Sequence, residues 1–129
     1  MHAERRTLTP MTEQSYVGGC HCGQVRFETK VDLSAPVVAC NCSICSRMGW
    51  LLSFVPATEF KLLSGEDALT DYQFNKKRIH HVFCSRCGIH SFSRGVGQGG
   101  AETRAINVRC LEGVDPDELK VKRFDGKSI

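Results

Sequence analysis

Residues 24–29 run Gln-Val-Arg-Phe-Glu-Thr, setting Val25 and Phe27 against Arg26 and Glu28. This is the period-two alternation of a strand with one buried face. Further short strands are predicted over 37–40, 50–55, 60–63, 70–74, 80–83, 90–93, 105–108 and 119–124, each close to a glycine, proline or aspartate turn. The three-and-four apolar spacing of a long helix is not sustained, although 43–48 and 115–119 can each make one helical turn. The pattern predicts an all-β chain with only short helical turns.

Residues 1–15 are polar and follow neither period, so they are expected to form a flexible arm ahead of one domain over 16–129. A chain of 129 residues seldom divides into two cores. The glycine run over 95–100 is expected to be a hairpin connection, with a mobile loop beside a site as the alternative.

Composition changes this picture little: 41% hydrophobic and 24% charged residues are ordinary for a folded soluble domain. The 17 basic and 14 acidic side chains are scattered, and Lys76-Lys77-Arg78 is the one concentrated basic run, which argues against a nucleic-acid partner. No apolar run reaches the roughly 18 residues a membrane span needs, and no apolar stretch follows Arg5 and Arg6 as an export signal requires. A cytoplasmic, reducing location is therefore expected, where grouped thiols hold metal more often than they pair as disulfides.

Eight cysteines carry the chemistry. Cys20 and Cys22, with the distant pair Cys84 and Cys87, can present four thiolates from two tight turns, the closed tetrahedral shell of a structural zinc. Gly23 and Gly88 follow the second cysteine of each pair, where a metal knuckle often requires a left-handed backbone. Two disulfides or four unrelated thiols are the competing readings. Cys40, Cys42 and Cys45 supply three thiolates within six residues, the pattern of a catalytic zinc with one open coordination position. A closed site completed by a distant histidine or by Cys110, or a cluster sharing ligands with the first, stays open beside it. Two zinc ions per chain are expected, the three-ligand site losing its ion more readily.

Cys110 reads as a buried free thiol at a strand end. On a strand, His80 and His81 must face opposite ways, so at most one approaches a metal. His21 and His90 are candidates to hydrogen-bond beside the four-cysteine set, and Trp50 and Phe54 to line a pocket over the three-cysteine set, with core packing as the plainer role. Arg47, Lys76, Lys77 and Arg78 can bind a peptide carboxylate, with solvated surface charge as the plainer reading. The Cys-x-x-Cys at 84–87 does not open a helix in a βαβ unit, which argues against thioredoxin-like redox chemistry.

The order Gly18-Gly19-Cys20-His21-Cys22-Gly23, Cys40-Asn41-Cys42-Ser43-Ile44-Cys45 and Phe83-Cys84-Ser85-Arg86-Cys87-Gly88 resembles the glutathione-dependent formaldehyde-activating enzyme family, which also takes in centromere protein V. The resemblance covers about 16–126, with a closing Phe124-Asp125-Gly126. It implies a zinc-containing β-tent of packed antiparallel sheets. It also implies a structural zinc on Cys20, Cys22, Cys84 and Cys87 and a catalytic zinc on Cys40, Cys42 and Cys45. The implied activity is that of a carbon–sulfur lyase, the reversible addition of glutathione or a similar thiol to formaldehyde or another aldehyde. A non-catalytic zinc-stabilised interaction module is the alternative the centromere-protein side suggests.

Overall fold

A computed structural model describes residues 13–74 and 78–128. Among the described residues ten strands form in chain order: β1 (Glu13–Gly19), β2 (Arg26–Asp32), β3 (Val37–Cys40), β4 (Leu52–Pro56), β5 (Phe60–Ser64), β6 (Leu69–Tyr72), β7 (His81–Cys84), β8 (Phe92–Val96), β9 (Glu102–Asn107) and β10 (Val121–Phe124). One short helix, α1 (Ser43–Met48), lies between β3 and β4. The all-β expectation with short helical turns holds. Every expected strand has a counterpart displaced by three residues or fewer at either end, and 115–119 contains a 3-10 turn over Pro116–Glu118.

Two features depart from the pattern reading. Strand β1 already runs from Glu13, inside the expected arm, because it pairs along its whole length with β2; residues 1–12 lie outside the described residues. Its Glu-Gln-Ser start is exposed at a sheet edge and carries no apolar alternation. The sheets are also not wholly antiparallel, since β10 runs parallel to β3.

The strands make a three-stranded sheet β1-β2-β5, a five-stranded sheet β10-β3-β4-β9-β8 and a two-stranded β6-β7 ribbon. Between them Phe27, Phe60 and Phe92 pack with ring centroids 4.7 to 5.9 Å apart, surrounded by Val25, Val31, Val82, Ile106 and Val108. The five-stranded sheet has two apolar faces. Val37, Leu51, Val55, Phe92 and Ile106 face this core, while their neighbours Val38, Leu52 and Ala105 turn to the other side, under α1 and Trp50. Strand alternation thus builds a second, smaller apolar layer, and the three-cysteine set lies in it.

The glycine run over 95–100 includes the turn of the β8–β9 hairpin, closed by the Gly97 N–H donating to the Ala101 carbonyl at 2.8 Å. No helix among the described residues is long and apolar enough to cross a membrane.

Candidate metal centres

Cys20 and Cys22 lie in the turn joining β1 to β2, while Cys84 ends β7 and Cys87 sits in the tight turn after it. That turn is closed by the Gly88 N–H on the Cys84 carbonyl at 2.8 Å. Gly23 and Gly88 take φ of 85° and 83°, the left-handed region expected of a metal knuckle. The two turns, far apart in sequence, meet so that all four sulfurs lie within 4.8 Å of one another.

The Cys20–Cys22 and Cys22–Cys84 sulfur separations are 3.6 and 3.7 Å. Zinc–sulfur bonds of about 2.3 Å in a tetrahedron put sulfurs about 3.8 Å apart, so the set is already spaced to hold one zinc ion. These separations are well beyond the roughly 2.05 Å of a disulfide, so the arrangement favours a shared ion over the disulfide reading. Backbone amides point at the sulfurs: the Val25 N–H donates to Cys20 Sγ at 3.3 Å and the Arg86 N–H to Cys84 Sγ at 3.4 Å.

Loss of hydration opposes ionisation of Cys87, yet the N–H groups of Cys22 and Ile89 and the neighbouring sulfurs bring its thiol down to about 6. For Cys22 the Gln24 N–H favours the thiolate, but desolvation and the sulfurs around it push the thiol up to about 11. Thiols this close divide the charge among themselves, and only a cation between them lets all four ionise together. Cys110 lies nearby and stays outside the set; burial first, then the charges of Cys20 and Cys87, push its thiol up to about 11.

The second set is built by one chain reversal. Cys40 ends β3, Cys42 caps the N-terminus of α1 and Cys45 lies in the first turn of that helix, three residues on and on the same side. Their sulfurs lie within 4.8 Å of one another, and no fourth His, Cys, Asp or Glu joins them among the described residues. Neither Cys110 nor a histidine closes this site among those residues, and it shares no ligand with the first. The Cys42 N–H donates to Cys40 Sγ at 3.4 Å.

Cys45 is desolvated; its neighbours Cys42 and Cys40 also disfavour its charge, and its thiol rises to about 12 although the Trp50 indole pulls the other way. The Trp50 Nε1–H is buried without an oxygen or nitrogen acceptor. An N–H with only the Cys45 sulfur in its direction, a sulfur costly to ionise alone, suits a metal-bound thiolate, a good acceptor in a dry site.

The set stands between two cavities. One, of about 410 Å³, is walled by Val38, Ile44, Leu52, Phe54, Phe74, Ile79, Ala105 and Phe124, with Arg78, His81 and Ser93 as its polar members and all three cysteines on its surface. The other, of about 660 Å³, shares Cys40, Cys45, Trp50 and Phe124 but is lined by Asn41, Arg109, Asp117, Arg123 and Asp125. The cysteines therefore border an apolar chamber and a charged groove.

The C-terminal segment forms part of the site. Asn41 donates from Nδ2 to Asp125 Oδ1 at 2.9 Å and accepts at Oδ1 from the Lys127 N–H at 2.8 Å, laying the Phe124-Asp125-Gly126 turn against the cysteines. A Cβ on Gly126 would lie 2.6 Å from Cys40 Sγ. Gly126→Ala is expected to weaken metal binding at the three-cysteine set by about tenfold, as outer-shell changes do, without lowering the melting temperature by more than a few degrees; cobalt(II) titration with a thermal melt checks both.

Trp50 and Phe54 both line the apolar cavity, Trp50 buried and Phe54 largely exposed at its rim. His81 is buried in the same cavity wall, while His80 turns outward to Asp71, as alternation along β7 and the residue before it requires. His90 packs its ring against Phe83 and edge-on to Trp50, and His21 is exposed. Arg47 donates to the Ser43 carbonyl at 2.8 Å across its own helix, Arg78 lines the apolar cavity, and Lys76 and Lys77 lie outside the described residues. Arg109 and Arg123 are lining residues the pattern reading passed over, and Asn41 and Gly126 entered it only as motif positions without a role; Arg123 and Gly126 reach the cysteines through the β3–β10 pairing, which no local pattern encodes.

The family model described as glutathione-dependent formaldehyde-activating enzyme matches residues 15–123. The fold is also similar to the crystal structure of a Rhodobacter sphaeroides protein, at 33% sequence identity and a TM-score of 0.74, over 84% of this chain and 99% of that one. With two cysteine sets spaced to hold metal on a packed-sheet scaffold, and a family match over most of its length, the chain belongs to the glutathione-dependent formaldehyde-activating enzyme family.

Proposed function

We propose that the protein is a zinc-dependent carbon–sulfur lyase that forms or breaks an adduct between a thiol, glutathione or one like it, and an aldehyde. Cys20, Cys22, Cys84 and Cys87 hold a structural zinc in this reading, and Cys40, Cys42 and Cys45 a catalytic one. The observation that carries it is the three-sulfur set with no fourth protein ligand among the described residues, set at the wall of an open cavity. Held by these three cysteines, a zinc ion would supply Lewis acidity, able to lower the pKa of a thiol or polarise a carbonyl.

The chain's own residues do the rest. Arg109 and Arg123 in the charged groove offer guanidinium partners for the carboxylates of a peptide thiol, and Asp117 and Asp125 offer partners for its ammonium group. Ile44, Leu52 and Ala105 wall the cavity beside the cysteines with hydrocarbon, lowering the polarity around the reacting atoms. As the carbon–sulfur bond forms, the carbonyl π bond breaks and the thiol proton passes to the carbonyl oxygen, so no oxidant or reductant enters.

His81 can carry that proton. Its Nδ1–H donates to the Tyr72 carbonyl at 3.2 Å, leaving Nε2 as the basic nitrogen. Desolvation holds its pKa below the ordinary histidine value, against the Tyr72 carbonyl and Asp71, which raise it. The ring is therefore neutral at pH 7 and able to accept a proton.

The test is metal content per chain together with adduct formation from glutathione and carbon-13 formaldehyde or a larger aldehyde, followed by NMR. About two zinc ions and thiol-dependent adduct formation support the reading; one zinc and no turnover after zinc resupply would leave a zinc-stabilised interaction module. Arg109→Glu combined with Arg123→Glu is expected to raise KM for glutathione about tenfold, near the loss of one charge-assisted hydrogen bond, with kcat unchanged.

A further inference from the structure

The apolar cavity is too large and too uniform for the smallest aldehyde. Formaldehyde has two heavy atoms and is little bigger than a water, whose share of liquid volume is about 30 Å³. The cavity encloses about 410 Å³, within the range of pockets that hold drug-sized ligands. Among the described residues, its walls beyond the cysteines are hydrocarbon and aromatic except at Arg78, His81 and Ser93. A two-atom substrate would leave most of that surface without contacts.

The rim extends the same chemistry outward. Phe54 and Ile79, both lining the cavity, are 57% and 47% exposed, so apolar surface runs from the cysteines to solvent. The charged groove on the other flank of the cysteines already suits a zwitterionic peptide thiol. A second charged ligand body would find few partners in the apolar chamber.

Resting on the thiol–aldehyde reading above, we infer that the second substrate is an aldehyde with an apolar body, an alkyl chain of about six to eight carbons or an aromatic ring, seated in this cavity. The thiol sulfur bonds to the aldehyde carbon, the carbonyl π electrons move to oxygen, and oxygen takes the thiol proton. The product is a hemithioacetal whose apolar half stays in the chamber and whose charged half lies in the groove.

The chain's single tryptophan, Trp50, lines the cavity and reports binding without turnover. Unreactive n-alkanols from ethanol to octanol, titrated into the zinc-loaded protein, are expected to quench or shift its fluorescence. Their Kd should fall about fourfold for each added methylene, the factor for burying one CH₂, until the cavity fills. Phe54→Ala and Ile79→Ala together shorten the rim at exposed positions and should weaken octanol several-fold more than ethanol. With glutathione, octanal or benzaldehyde should exceed formaldehyde in kcat/KM by at least tenfold.

A Kd that does not change with chain length overturns the inference, whatever the activity on formaldehyde. So does a preference for formaldehyde paired with an apolar thiol such as hexanethiol. Chain-length-dependent alkanol binding with no adduct from any aldehyde overturns the carbon–sulfur chemistry of the site, and with it the aldehyde, while an apolar ligand for the cavity stands.

Discussion

Cys84→Ser is expected to abolish the folded state of the domain at 25 °C. Cys84 is fully buried, ends β7 and brings its sulfur to 3.7 Å from Cys22, so it ties the β6–β7 ribbon to the β1–β2 turn. A structural zinc in a four-thiolate site contributes about 10 to 16 kcal/mol of apparent binding free energy, which the unfolded chain cannot retain. Whole domains are stable by only about 5 to 15 kcal/mol, so losing a buried ligand removes a share comparable to the total. Circular dichroism and thermal melting with zinc stoichiometry check this. Cys110→Ser is the control, since Cys110 lies beside the set without joining it; it should fold and keep its zinc. A cooperative melt for the Cys84 variant within a few degrees of wild type would show that the metal is dispensable to the fold.

Cys45→Ser is expected to separate activity from folding in the opposite sense. Its side chain sits in the smaller apolar layer with Trp50, Leu52 and Ala105, across the five-stranded sheet from the phenylalanine core. Serine is close in size, and the four-cysteine set and the main core are untouched, so the melt should shift by no more than a few degrees. On the proposed reading the three-ligand site would drop to two ligands, and turnover should fall at least a hundredfold, beyond the range for losing an outer-shell partner. Cobalt(II) substitution should read about one ion per chain in place of about two. A fully active, metal-replete Cys45→Ser enzyme would remove this cysteine from the catalytic centre.

Both expectations rest on features legible in the chain itself. A Cys-x-Cys or Cys-x-x-Cys spacing dictates a turn that aims two sulfurs together, because only a few backbone conformations span so few residues. The glycines after Cys22 and Cys87 mark the left-handed residue of that turn. Strand alternation is equally local, so Val25 and Phe27 reveal their buried face without knowledge of what covers it. β1 escaped this reading for the same reason. Its first residues are exposed at an edge, so hydrogen bonding to β2 holds them where no apolar pattern could signal a strand.

Thus the chain alone specified the strand-rich class, the two cysteine pairs, the cluster over 40–45 and the turns that present them, since each depends on residues within a few positions of one another, whereas the meeting of the Cys20–Cys22 turn with the Cys84–Cys87 turn was left to the tertiary structure. The parallel pairing of β10 with β3, the placing of Gly126 against Cys40, the inward turn of His81 to the cavity and the division of space into apolar chamber and charged groove came from the tertiary structure. Those features join segments up to 86 positions apart, as in the Lys127 to Asn41 hydrogen bond. No local propensity encodes such a meeting, because it is set by sheet order and register, which form only when all the strands pack together.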